Sequence, residues 1–490
     1  MTTHKTTTDQ KKTFFGHPRG LSTLFFVELW ERFSYYGMSA ILLYYLYYSV
    51  SEGGLGIDKG TATAIVSIYS ALVYMSGVIG GWVADRLLGM RKAVIIGGVL
   101  IMFGHIALAI PGGLPTLLVS MFLIVIGTGL LKTNVSSSVG ELYEKTDNRR
   151  DAGFSLFYMG INLGSFVAPY LVGTVGQKVN YHLGFSLAAV GMAIGLIVYI
   201  RGGRHLTASA PTNPLRSGDG LRLTGRASVG GIIVAGLVVL ASFTGLLTVN
   251  TLINTVTALS VILPIAYVII MLRSRRTDAV ERSRLLAYIP LFVGAVCYWI
   301  VNEQSASVLA EFADQRTNLT ILGFDVPSSW FASLNPIATI ILAPTFAYLW
   351  FRLGDRQPST PIKFSLGLFL GGASFILMAG PAVLFGTDTP ASPLWLLASY
   401  VIVICGSMCL SPVGLSATTK LAPRAFLSQM MSLWFLASAT ASGINAQLVQ
   451  FYSRETEAQY FAGVGAGVMV AGVLMLFVAP WVRRHMSGVR

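Results

Sequence analysis

The chain has 490 residues, of which 54% are hydrophobic and 11% charged, a balance far more apolar than that of an ordinary water-soluble globular protein. Uncharged runs long enough to cross a bilayer, about 20 residues each, recur along its length, which argues against a soluble fold and requires the backbone to be satisfied helix by helix. The formal net charge of +13 comes from cations that fall mostly in the loops of one side, so it reads as a topological signal and not a nucleic-acid one.

Residues 1–20 are polar and basic without an apolar core, so they read as a cytoplasmic N-terminus without a cleavable signal peptide. Apolar runs then predict spans at 21–48, 62–86, 93–110, 114–140, 152–174 and 182–200, a bundle of six covering residues 21–200. The basic stretch 201–228, with its Gly, Pro, Ser and Thr, reads as a cytoplasmic linker. Two spans at 229–247 and 255–272 contain no Asp, Glu, Lys or Arg, so the inserted segment 229–272 is expected to be lipid-facing scaffolding. Six more, at 285–309, 328–351, 364–386, 392–416, 426–450 and 460–482, form a second bundle over residues 285–482, and residues 483–490 a cytoplasmic C-terminus. The expected fold is an all-α membrane protein of 14 transmembrane helices: two six-helix bundles plus two extra helices between them, suited to a midplane site.

When the loops are assigned alternately to the two sides, the side opposite the termini receives only Lys59, Lys178, Arg316 and Arg454, while Arg32 and Lys132 fall inside spans. The positive-inside rule then makes the terminal side cytoplasmic and predicts a multi-pass protein of the cell membrane, plasma or inner. Cys297, Cys405 and Cys409 lie in apolar spans and read as packing residues. His105 and His182 stand alone, so neither a metal site nor an enzyme is expected.

The chemistry sits on a few polar positions. Glu28, Glu31 and Arg32 occupy i, i+3 and i+4 of one helix, so they share a face and the Arg can reach either acid. Charges buried in a membrane cost a few kcal/mol each, so they are expected to pair. A structural salt bridge is the plain alternative, but two acids for one base leave a carboxylate that needs a second cation or a proton. Lys132, in Gly-Thr-Gly-Leu-Leu-Lys-Thr-Asn, supplies that cation unless it snorkels to the interface. Glu303 has no base in its own span, and desolvation of a solitary carboxyl makes it a natural proton carrier. Tyr35, Tyr36, Tyr74, Asn162, Trp299, Asn335 and Trp434 are candidates to line a cavity for a small zwitterion, although each singly is more often packing. Asp85, Arg86, Arg91 and Lys92 mark a tight loop that serves insertion topology or a gate latch.

Three long motifs carry a resemblance running nearly end to end: Glu28-x-x-Glu31-Arg32-Phe33-Ser34-Tyr35-Tyr36-Gly37, the loop from Gly80-Gly81 to Gly89, and Phe157-Tyr158-Met159-Gly160-Ile161-Asn162-Leu163-Gly164-Ser165. On these the chain resembles the proton-coupled oligopeptide transporters of the major facilitator superfamily. The resemblance implies uptake of di- and tripeptides with protons by alternating access, no further cofactor, and a protein acting as a monomer. It further implies that Glu28, Glu31, Arg32 and Lys132 couple proton to substrate. Tyr36, Tyr74, Asn162, Asn335 and Trp434 would line the pocket, and Glu303 would take part in protonation and the outer gate.

Two positions depart from the family pattern. Ser39 stands where an Arg is common, and Ser407 where a Glu is common, four residues before Ser411-Pro412. Glu303 thereby loses a stabiliser of its ionised form, and ammonium recognition falls to Asn162, Asn335, Ser407 and water, weaker acceptors than a carboxylate. Another small amphiphile on the same fold, such as a modified peptide, nitrate or an organic acid, remains open on these residues. So does a membrane enzyme or receptor, which has no metal-ligand spacing to support it.

Overall fold

A computed structural model describes residues 14–144, 147, 149–206, 248–321 and 323–486. The span expected at 229–247, most of the linker, and both extreme termini lie outside the described residues. The first half contains α1 (Arg19–Tyr47), α2 (Lys59–Val83), α3 (Met90–Ala109), α4 (Leu114–Glu141), α5 (Arg150–Ala168), α6 (Thr174–Lys178) and α7 (Tyr181–Gly202). A π-turn at Pro169–Gly173 joins α5 to α6, so the two form one span. Then follow α8 (Val249–Arg273), α9 (Ala279–Glu303) and α10 (Val308–Gln315). The chain ends with α11 (Leu334–Leu353), α12 (Thr360–Phe385), α13 (Pro393–Leu421), α14 (Leu427–Leu448) and α15 (Glu457–His485).

Among the described residues, eleven helical segments are long and apolar enough to cross a membrane. The long helices α1 and α14 fall outside that set because they are more polar, and their residues are mostly buried against protein. Local chemistry sets the starts. Asp58 accepts from the Thr61 amide at the head of α2, and Asp278 with Glu281 forms a capping box at the head of α9, satisfying amides that a helix start leaves open.

Several helices run a few residues past the expected bounds, α13 to Leu421 and α15 to His485 among them, and two boundaries change the picture. The stretch read as linker from residue 201 begins as helix, since α7 runs through Gly202 into a 3-10 turn at Gly203–His205. The span expected at 285–309 starts earlier, at Ala279, and breaks after Glu303 into a 3-10 turn at Gln304–Ala306 before α10 resumes. No Pro or Gly marks that break, and the fully buried Gln304 takes up its hydrogen-bonding through Asn445 and Tyr460.

Packing divides the molecule into two bodies. In the first, α1 lies against α5 and α7, α3 against α4 and α7, and α2 against α4; in the second, α12 lies against α13 and α15, and α9 against α14 and α15. The bodies meet where α2 packs on α14 and α5 on α11. The inserted helix α8 is fastened to α14 by Thr257 Oγ1 donating to the Gly443 carbonyl and Thr440 Oγ1 donating to the Ser260 carbonyl, each at 2.7 Å, and it also touches α2. Its opposite side exposes Leu259, Ile262, Ile265, Ile269 and Ile270, as a lipid-facing helix requires.

Within the first body α2 and α4 approach backbone to backbone. A Cβ at Gly80 would collide with the Gly129 carbonyl, so only glycine fits this crossing. Hydrogen bonds between the two bodies gather at the end away from the start of α1. Trp330 Nε1 donates to Thr174 Oγ1 at 2.8 Å, Gln177 Nε2 to Ser328 Oγ at 2.7 Å, and Ser333 Oγ to the Phe166 carbonyl at 2.9 Å. There a small hairpin of β1 (Thr320–Ile321) and β2 (Phe324–Asp325) receives Lys178 Nζ on the Asp325 carbonyl at 2.5 Å.

Candidate functional site

The charged trio lies in the middle of α1 and is almost wholly buried: Glu28 is 2%, Glu31 0% and Arg32 3% exposed. The helical spacing lets one guanidinium serve both acids, with Arg32 Nε 3.1 Å from Glu28 Oε1 and 2.5 Å from Glu31 Oε2. Arg32 also stands over the Tyr35 ring at 5.6 Å. Glu28 Oε2 and Glu31 Oε1 have no hydrogen-bond partner among the described residues. Two acids sharing one base thus each keep an open oxygen, an arrangement that calls for a proton or a second cation.

Lys132 on α4 is not that cation by direct contact. Among the described residues no carboxylate lies within ion-pairing distance of it, and its Nζ sits over the Tyr74 ring at 4.6 Å. It remains within electrostatic reach of Glu28, Glu31 and Glu303. The half-buried Lys132 is therefore held inside the protein by an aromatic face, an arrangement distinct from snorkelling to an interface. Tyr74 in turn donates its hydroxyl to Glu303 Oε1 at 3.1 Å, across from α2 to the end of α9.

The remaining candidates are placed unequally. Tyr35 is half-buried between Tyr36, edge-on at 5.3 Å, and Tyr69, stacked at 6.5 Å, whereas Tyr36 is exposed. Asn162 Nδ2 donates to the Tyr158 carbonyl one turn earlier at 2.9 Å, leaving its carbonyl oxygen for another group. Asn335 is half-buried on the first turn of α11. Trp299 is half-buried, edge-on to Tyr298 at 5.8 Å, and its indole N–H has no partner among the described residues. Trp434 is buried and packs over Gly414 of α13. Ser407 and Ser411 lie 3.1 Å apart, hydroxyl to hydroxyl, and Ser39 is half-buried on α1.

The loop residues lie on a π-turn, Ala84–Leu88, and the first turn of α3. Arg91 packs its guanidinium against Gly203 at the end of α7, and among the described residues no ion pair joins it to Asp85.

Two features escaped the sequence reading, both on or beside α10. Asp314 accepts from Tyr47 at 2.6 Å, Tyr48 at 3.1 Å, Ser328 at 2.9 Å and Gln315 Nε2 at 2.6 Å, which ties α1 of the first body to α10 of the second. Arg316 is 3% exposed and Glu457 fully buried; they pair at 2.7 Å and 3.2 Å, while Arg316 Nη1 and Nη2 donate to the Thr389 and Gly386 carbonyls. The tyrosine pair and the acid following an apolar run were visible, but nothing local links residues 266 or more positions apart.

The arrangement comprises two packed bodies, a buried acid–base cluster on one, a carboxylate from the other, and a closed end. Relatives and solved structures agree with it. Residues 91–466 match the model of the POT family. Over 482 residues the chain is 55% identical to an uncharacterised transporter, YclF, of Bacillus subtilis (strain 168), covering 98% of this chain and 97% of that protein. It is 47% identical to a di-/tripeptide transporter of Lactococcus lactis subsp. cremoris, covering 98% and 99%. A crystal structure of a peptide transporter POT in complex with sulfate superposes with a TM-score of 0.95 at 55% identity over 98% of both chains; its glutamate-to-glutamine variant in complex with alafosfalin gives 0.93. A helical membrane protein with these bodies, this buried cluster and these relatives belongs to the POT family of transporters.

Proposed function

We propose that the chain is a proton-coupled symporter that imports di- and tripeptides by alternating access between its two bodies, with both termini in the cytoplasm. The observation that carries this reading is the meeting of Lys132, Tyr74 and Glu303 at the seam between the bodies, beside a trio whose acids keep open oxygens. Lys132 offers a cation to a peptide carboxylate, and Glu303, Glu28 and Glu31 are the carboxylates available to carry protons. The hydrogen bonds clustered at the far end describe a molecule closed outside, given a cytoplasmic start for α1. The relative named a di-/tripeptide transporter and the alafosfalin complex support peptides as substrates.

The direct test is uptake of a labelled dipeptide into proteoliposomes with and without an inwardly directed proton gradient. Accumulation that depends on the gradient and is competed by unlabelled di- and tripeptides is expected; accumulation indifferent to the gradient would refute symport. A second reading, transport of a modified peptide or another small amphiphile, is favoured by the neutral Ser407–Ser411 pair.

A further inference from the structure

One side chain joins the two bodies at the level of the buried charges. Tyr74 stands on α2, donates to Glu303 of α9 at 3.1 Å, and presents its ring to Lys132 of α4 at 4.6 Å. The glycine crossing of α2 and α4 at Gly80 and Gly129 keeps the ring and the ammonium on one rigid body. Glu303 rides on the other. The charged and titratable groups that act on Glu303 are Tyr74 from α2 and Lys132 from α4, with the Ser442 hydroxyl of α14 beside it, and Tyr35 and Tyr36 of α1 lie within reach of its charge. The guanidinium of Arg32 is engaged by Glu28 and Glu31, and α1 carries Ser39 a turn beyond the tyrosines.

We propose that Tyr74 couples the protonation of Glu303 to the relative position of the two bodies, a positioning role separate from any contact it makes with substrate. This rests on the symport reading for its place in a cycle. A hydroxyl donating to a carboxylate makes a charge-assisted bond, stronger than its bond to a neutral acid, and so favours the ionised form. Linkage makes the effect reciprocal: bodies positioned to form the bond encourage Glu303 to release its proton, and bodies that withdraw Tyr74 let it take one up. In the conformation closed outside the bond is made. The proton therefore leaves the Glu303 carboxyl for water on the inner side, while Tyr74 keeps its own hydroxyl proton throughout.

The test is infrared titration of the purified protein in lipid, following the carboxylic-acid carbonyl band assigned to Glu303 by its loss in Glu303→Gln. Tyr74→Phe keeps the ring beneath Lys132 and removes the hydroxyl. Its Glu303 band should titrate about one pH unit higher than in the wild type, the shift a single charge-assisted hydrogen bond gives. Counterflow exchange of dialanine should show the same alkaline displacement of its pH profile, and Tyr74→Phe should displace nothing further in the Glu303→Gln background. An unchanged titration of the band overturns the inference, as does a defect of equal size at every pH in both backgrounds. Failure of the wild type to exchange dialanine would count against peptide transport alone, because the band titration needs no substrate.

Discussion

At the scale of single residues, the charges in α1 were legible because acids and bases stand out in an apolar run and membrane burial forces them to pair. Their partnerships were less legible. Lys132 was expected to complete the trio, yet it faces an aromatic ring, because Arg32 reaches both acids by helical geometry alone. Tyr74 was read as a pocket residue, but its bond to Glu303 was not, because that partner lies 229 positions away. If the cluster serves proton coupling, Glu31→Gln and Lys132→Ala should each abolish gradient-driven uptake, and retained accumulation in either would return the cluster to a structural salt bridge. The serines at 39 and 407 make a second forecast. Without a carboxylate at 407 the free ammonium of a peptide should matter little, so N-acetylated and free dipeptides should compete within about a few-fold, the difference of one neutral hydrogen bond. A strong preference for the free amine in competition assays would show that another acceptor has taken over.

Among the elements, long apolar helices announced themselves, whereas the break between α9 and α10 did not. Its cause is tertiary, a buried glutamine bonded to two other helices, rather than a local Pro or Gly. That short α10 performs two tasks. Arg316, just past its end, is locked to Glu457 and to two carbonyls of the α12–α13 connection, so α10 is anchored to the second body. Removing one partner of such a buried pair costs about 3–5 kcal/mol. Arg316→Met should lower the thermal unfolding midpoint of the purified protein, and adding Glu457→Leu should recover part of the loss. Asp314, on the helix itself, reaches the other way to Tyr47 and Tyr48. Asp314→Asn exchanges charge-assisted bonds for neutral ones and should weaken outer closure by about 2 kcal/mol, roughly thirty-fold in population. Spin labels at the exposed positions 52 and 324 should report a larger open population; an unchanged distance distribution would remove Asp314 from the gate.

For the whole molecule, the all-helical membrane fold and its division into two packed bodies could be read from apolar runs, because lipid demands long helices and leaves few alternatives; the span expected at 229–247 lies outside the described residues. What holds the bodies together could not be read, since single contacts such as the Ser333 hydroxyl on the Phe166 carbonyl and the Trp330 indole N–H on the Thr174 hydroxyl leave no pattern in composition. The inserted helix α8 shows the same limit. Its lack of charge suggested lipid-facing scaffolding, and one face does meet that description, but the other is fastened to α14.

That fastening bears on how the chain is made. Thr257 and Ser260 leave the ribosome about 180 residues before Gly443 and Thr440, the groups they bind. During synthesis α8 therefore waits in the bilayer with its seam to α14 unformed, and acquires its place only when nearly the whole chain has been inserted.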